Sequence, residues 1–294
     1  MKYLHILLLL FIGNAATGAT LLKHDIAYKS EIYAVKDTDT IIRKQSLSVG
    51  INYGSDAMFF GRTGPITYPF MSTDVVYNTK MGFFVYASAL RLLGYRTSVD
   101  EVDFGGGYLF RPSKKFSSSI SYNRFIFNKE ERIIESATSN DINWKNSFDW
   151  KPFKSTIILD YLFGKSSDFF MTISQSKYFE TKGKIFNDQD YVSFNPGVSV
   201  IIGTQNFVER YSLDHDDRLI VDNIYKFGPT APPTGVNNGR LNFLNYSFKL
   251  PIAYNMPHYT FEVAYKYSIP VNVEGALMNK RESFVNLTFF YLFY

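Results

Sequence analysis

The chain closes on Ser283-Phe284-Val285-Asn286-Leu287-Thr288-Phe289-Phe290-Tyr291-Leu292-Phe293-Tyr294. Side chains of a strand alternate between two faces, and here both faces carry large rings. A soluble domain seldom leaves such a strand at an open edge, because its unpaired backbone groups recruit other chains. A closed sheet in lipid has the opposite need: its last strand pairs with its first, and every N–H and C=O finds a partner. Counting back from the end, Tyr294, Leu292 and Phe290 share one face, read as the lipid face. Asn286 and Thr288 then fall on that same face, while Phe293, Tyr291 and Phe289 make the other one apolar as well.

Upstream, alternating stretches are separated by turn residues. Ser46 to Tyr53 is the cleanest first strand, expected to run on to about Phe60 before an Arg62-Thr63-Gly64-Pro65 turn. Further strands are expected over 67–79, 83–93, 98–110, from Phe116, over 142–150 and 155–163, from Phe169, and over 191–205, 241–254 and 259–269. In the stretch 98–110, Val102, Phe104, Tyr108 and Phe110 oppose Glu101, Asp103, Gly105 and Gly107; in 142–150, Ile142, Trp144, Phe148 and Trp150 oppose Asn143, Lys145, Ser147 and Asp149. With the terminal strand the count is about twelve, and the ambiguous region 180–190 allows ten to fourteen. Pro196 and Pro251 fall inside expected strands, where each removes a ladder donor and marks a bulge or a strand end. Short connections (79–82, 111–115, 151–154, 255–258) alternate with longer ones, of which 207–240 is the longest. Short periplasmic turns and longer outer loops are the asymmetry of membrane barrels, and an even count leaves both termini in the periplasm. The expected fold is all-β: a transmembrane antiparallel up-and-down β-barrel.

Composition agrees. Aromatic residues make up 18% of 294, yet mean hydropathy is only −0.12. Helical membrane proteins need apolar runs of roughly 20 residues, and no such run follows residue 20. A barrel turns only alternate residues to lipid. The net charge of +4 is weak and scattered, which argues against nucleic acid as a partner. Cysteine is absent, so disulfides, thiolate metal sites and a cysteine nucleophile are excluded. Lys2, the apolar core Ile6–Ile12 and the small residues Asn14–Ala19 read as an export signal over 1–19. Residues 20–44 read as a polar periplasmic tail, and 45–294 as the barrel.

The terminal stretch resembles the carboxy-terminal assembly signal of bacterial outer-membrane proteins, which implies the barrel-assembly machinery and outer-membrane lipid as partners. Phe194-Asn195-Pro196-Gly197-Val198-Ser199-Val200-Ile201-Ile202-Gly203-Thr204-Gln205-Asn206-Phe207 and Leu244-Asn245-Tyr246-Ser247-Phe248-Lys249-Leu250-Pro251 resemble the small outer-membrane barrels of Bacteroidetes-type bacteria. That resemblance covers about 45–294 and implies architecture and location in the outer membrane. No activity is assigned to that group.

Motifs for covalent chemistry are weak. Asp214-His215-Asp216-Asp217 places a histidine among carboxylates, but His24 and His258 do not stand at ligand spacing from it. The His-x-Ser-Asn-Gly run of outer-membrane phospholipases does not occur. No catalytic residue, metal ligand or cofactor is expected. The inward face is more telling. Alternation assigns Asp74, Arg91, Glu101, Asp103, Arg124, Lys145, Asp149, Asp160, Lys249, Glu262 and Lys266 to the lumen, with both signs in similar numbers. Such a lining suits passage or binding of a small solute, with 207–240 folding inward as a constriction. Two alternatives stand beside it: a lipid- or envelope-modifying hydrolase, and a closed structural or partner-binding barrel.

Overall fold

The computed structural model describes residues 45–64, 66–128, 138–181, 185–186, 188–208, 239–274, 277 and 279–293. The expected export signal and tail, most of 207–240 with His215, and Tyr294 lie outside them.

The described strands are β1 (Ser46–Gly54), β2 (Phe70–Asn78), β3 (Phe83–Leu92), β4 (Glu101–Phe110), β5 (Phe116–Phe127), β6 (Asn140–Asp149), β7 (Lys154–Phe163), β8 (Ser167–Ser176), β9 (Phe179–Glu180), β10 (Tyr191–Phe194), β11 (Gly197–Gly203), β12 (Asn242–Asn255), β13 (Tyr259–Pro270) and β14 (Glu282–Phe293). Neighbours in sequence pair antiparallel from β1 to β8. β8 pairs with β11, β11 with β12, and β12 through β14 return to β1. The sheet therefore closes. β10 and β11 form one stave interrupted at Asn195-Pro196, and the two-residue β9 only flanks it, so the fourteen strands make twelve staves. The closing seam runs from Leu47↔Phe293 to Gly54↔Asn286, which satisfies both would-be edges.

The two prolines explain the interruption. β12 pairs with β11 up to Lys249 and with β10 from Ile252, so Pro251 stands opposite the break. Asn195 N–H donates to the Pro251 carbonyl at 3.2 Å. A residue's N–H and C=O leave a strand on the same side, so the donor that Pro251 lacks would have pointed at the gap.

Along each stave the apolar residues face out and the polar ones in. Ile51, Val85, Phe104, Ile120, Trp144 and Phe289 are exposed on the exterior, while Ser48, Asn52, Asp103, Asn123, Asn143 and Ser247 are buried inside. This is the inverse of a soluble core. The last strand corrects the expectation from its sequence: Val285, Leu287, Phe289, Tyr291 and Phe293 form the exterior, and Phe284, Thr288, Phe290 and Leu292 point inward. Thr288 Oγ1 donates to Asn52 Oδ1 on β1 at 3.1 Å, so the polar residues set the face. With rings on both faces, a one-residue shift exchanges them, and hydrophobicity alone could not choose.

One end of the barrel carries the turns 79–82, 111–115, 150–153 and 256–258 together with the start of β1 and the end of β14; this is the turn end. The opposite, loop end carries the connections β1–β2, β3–β4, β5–β6, β7–β8, β11–β12 and β13–β14.

Candidate functional site

At the loop end the β1–β2 connection does not continue the strand to Phe60 as its sequence suggests. It folds into the lumen, and Met58 to Gly64 are all buried. Phe59 and Arg62 form an isolated antiparallel bridge around a tight turn with positive φ at Phe60 (44°) and Gly61 (76°). Such a turn needs φ > 0 at both central residues, and glycine supplies one of them freely. A Cβ on Gly61 would lie 2.5 Å from Asn245 Cβ on the far wall, so only glycine passes there. The neck of the inserted segment is closed by Ala57 N–H to Tyr68 O and Tyr68 N–H to Asp56 Oδ1.

The tip crosses to the opposite wall. Phe60 stacks on Phe170 of β8 with ring centroids 3.7 Å apart, and Phe59 meets Phe207 edge-on at 5.0 Å. Leu162, Ile201, Leu244, Val208 and Leu277 complete this cluster. Leu244 turns inward because it is the extra residue of a bulge between Ile201 and Ile202 pairing. Phe207 is brought in by Asp168, which accepts from Thr204 Oγ1 and from Asn206 N–H. Three loop-end connections thus converge on one plug.

Arg62 holds them together. It is fully buried, and its guanidinium donates to Leu244 O at 2.8 Å, Gln205 Oε1 at 2.8 Å and Val271 O at 2.7 Å. Burial pulls its pKa down to about 10, opposed by the nearby Glu274 carboxylate, so it stays protonated at neutral pH. Burial likewise raises Glu274, opposed by Arg62. Asp56 at the neck is pushed up to about 6, first by burial, with Glu282 adding and the Tyr68 N–H opposing. Met58 Sδ accepts from Lys266 Nζ at 3.1 Å, and Thr63 Oγ1 donates to Glu282 at 2.7 Å.

Below the plug the wall is polar. Asp74, Glu101, Asp103, Asp160, Glu262 and Lys266 are buried on inward faces, and Lys145, Asp149 and Lys249 also point inward. Arg91 and Arg124 do not. Arg91 shares the exterior of β3 with Phe83 and Val85, one residue from its loop end. Arg124 alternates with Tyr122 and Ile126 on the exterior of β5, where its Nη1 donates to Asn140 Oδ1 at 2.9 Å. Near a barrel rim an exterior arginine costs only about 0–1 kcal/mol, so a charge there does not mark the inner face. Asp141, not singled out from sequence, is an inward acid, 1% exposed. With the two arginines outside and Asp141 inside, wall acids (Asp74, Glu101, Asp103, Asp141, Asp160, Glu262) outnumber wall lysines (Lys145, Lys249, Lys266) six to three, and adding the inward Asp149, Asp168, Glu282 and Lys154 nearest the strand ends makes nine to four. Five of the six wall acids lie on β2 to β7, and Glu262 lies on β13. Lys249 and Lys266 are cross-strand partners on β12 and β13, across the barrel from β4.

Tyr68 packs inside with Phe70, Leu90 and Leu92. His258 sits at the turn end, stacked on Tyr291 at 6.0 Å with Nδ1 near Leu292 O. Among the described residues no three His, Cys, Asp or Glu side chains converge as a metal-binding group.

No protein-family model and no curated protein sequence matches the chain. Solved structures similar to it include a KdgM porin in complex with disordered oligogalacturonate (7% identity, 84% of this chain and 99% of the other, TM-score 0.45). A NanC porin is similar at 12% identity over 83% and 98%, TM-score 0.46. LpxR from Salmonella typhimurium is similar at 9% identity over 84% and 100%, TM-score 0.41.

Proposed function

We propose that this chain is an outer-membrane barrel that passes small hydrophilic solutes, preferring cations, through a lumen constricted at its loop end by residues 55–64 and 66–69. The wall charge carries the reading: inward acids outnumber inward lysines two to one, and a low-dielectric tube concentrates counter-ions along such a wall. The apolar exterior all around the sheet supports a lipid setting, since an interior-out pattern of this kind is unfavourable in water. In this reading 1–19 directs export, β14 is read by the assembly machinery, and the turn end with both termini faces the periplasm.

The test is planar-bilayer recording of the folded mature barrel in a potassium chloride gradient. The expected reversal potential lies on the cation-selective side. Wild type and Arg62→Ala both silent, with folded barrels, would overturn passage in favour of the closed barrel.

A further inference from the structure

We propose that Arg91 and Arg124 form a docking site on the barrel exterior for one lipid that carries two phosphate groups. Among the described residues, these two are the only charged side chains at outward strand positions of the twelve staves. Both are cations, and no carboxylate shares that surface with them. A charge on a lipid face is costly at the midplane and is tolerated near a rim, where headgroups can serve as its partner.

The two charges stand at one height. Arg91 is the ninth residue of β3 and Arg124 the ninth of β5, and both strands start at the turn end. Each lies within three residues of the loop end of its strand. With the loop end outward, this is the headgroup level of the outer leaflet.

Neither charge is neutralised by the protein. Among the described residues Arg91 makes no hydrogen bond or ion pair. Arg124 meets only neutral oxygens: its Nη1 donates to Asn140 Oδ1 at 2.9 Å and to Ser139 Oγ at 3.4 Å. Asn140, the cross-strand partner of Arg124 on β6, is itself fixed. It accepts from the Tyr122 hydroxyl at 2.7 Å and donates to Phe163 O at 3.1 Å. The amide thus orients the guanidinium without cancelling its charge.

Spacing decides what the pair can hold. Leu90 pairs with Glu101, and Glu101 with Phe127, so Arg91 is level across the ladder with Asn128, four residues beyond Arg124. Two strand spacings of about 4.8 Å and four residues of about 3.3 Å place the two Cα atoms roughly 16 Å apart. Arg124 also leans toward β6, away from β3, so the two guanidiniums do not close on a single phosphate. A headgroup with two phosphates spans them, each phosphate taken by one planar fork in the bidentate geometry that arginine favours. Ala89 and Val102 are cross-strand partners on the same exterior between the arginines, and their short side chains leave the way from one to the other open.

The proposal is tested by native mass spectrometry of the detergent-folded mature protein with three probes: lipid A carrying two phosphates, lipid A carrying one, and phosphatidylglycerol. One diphosphorylated lipid per barrel is expected, bound at least tenfold more tightly than either other probe. Arg91→Gln and Arg124→Gln should each weaken it at least tenfold, to the level of the monophosphorylated lipid. Lys177→Gln, which removes a turn-end cation held 4.7 Å over the Phe179 ring, should change it less than twofold. Equal losses in Lys177→Gln and Arg124→Gln, or no retained lipid in wild type, would overturn the site. Should an arginine variant fail to fold, the wild-type ranking of the three probes decides: equal retention of all three overturns the site, and preference for two phosphates upholds it. Binding is read in detergent, whether or not the barrel conducts and whichever end faces outward, so its failure is distinct from a failure of passage.

Discussion

Replacing Arg62 by alanine should unseat the plug while leaving the barrel closed. Three short bonds from a charged donor contribute about 1.5–3 kcal/mol each, or about 4–9 kcal/mol gross. Against this stands the cost of burying the guanidinium. The fall of its pKa from 12.5 to about 10 corresponds to about 3 kcal/mol. The surplus is a few kcal/mol, and about 3 kcal/mol moves the seated–unseated equilibrium roughly a hundredfold. None of these bonds belongs to the strand ladders, so β1–β14 pairing and heat-modifiable migration should persist. Two readouts follow: open probability in bilayers, and chymotrypsin cleavage beside Phe59 and Phe60, whose rings are 2% and 1% exposed when seated. Both should rise by one to two orders of magnitude. Arg62→Lys should fall between, because a single ammonium cannot span acceptors on three segments. A folded Arg62→Ala barrel with unchanged cleavage and conductance would refute the latch.

Gly61→Ala should act in the same direction, since its φ of 76° and the 2.5 Å approach to Asn245 Cβ strain the seated turn by about 1–3 kcal/mol; faster chymotrypsin cleavage checks it. Asp56 gives the plug a pH dependence: with its seated pKa raised from 3.8 to about 6, the stability it lends is full below pH 4 and is lost as pH rises toward and through 6. Cleavage should therefore be slower at pH 4.5 than at pH 7.5 relative to a loop-end control site, and Asp56→Asn should flatten that difference. Neutralising Glu101→Gln together with Asp103→Asn should move the bilayer reversal potential toward zero by removing two of the six wall acids; an unmoved potential would count against their place on the path.

Some of the site was legible from alternation. Glu101 and Asp103 point inward as expected because β4 carries rings only at its other positions, until the glycines at 105–107 let Phe84 and Tyr86 of β3 lie across it. Arg124 was misplaced although its own strand held the answer: Ser117, Ser119, Ser121 and Asn123 define the inner face by odd numbers, and 124 is even. Asp141 stands just before the stretch 142–150 read as a strand, so no face was assigned to it, although β6 begins at Asn140.

The sequence by itself pointed to a closed antiparallel barrel of about twelve staves, through alternation, turn chemistry and a ring-laden last strand, and the strand pairing fixed the number at twelve. It also flagged Pro196 and Pro251 as a bulge or strand end, and the structure shows the stave of β10 and β11 interrupted there. The direction of the last strand's faces, the plug of residues 55–64 and 66–69 and the company kept by Arg62 were decided only by tertiary structure. Each depends on contacts between segments more than a hundred residues apart, such as Arg62 with Gln205 and Leu244. Local pattern reports which face a residue prefers, but not which distant backbone carbonyl will be waiting for it.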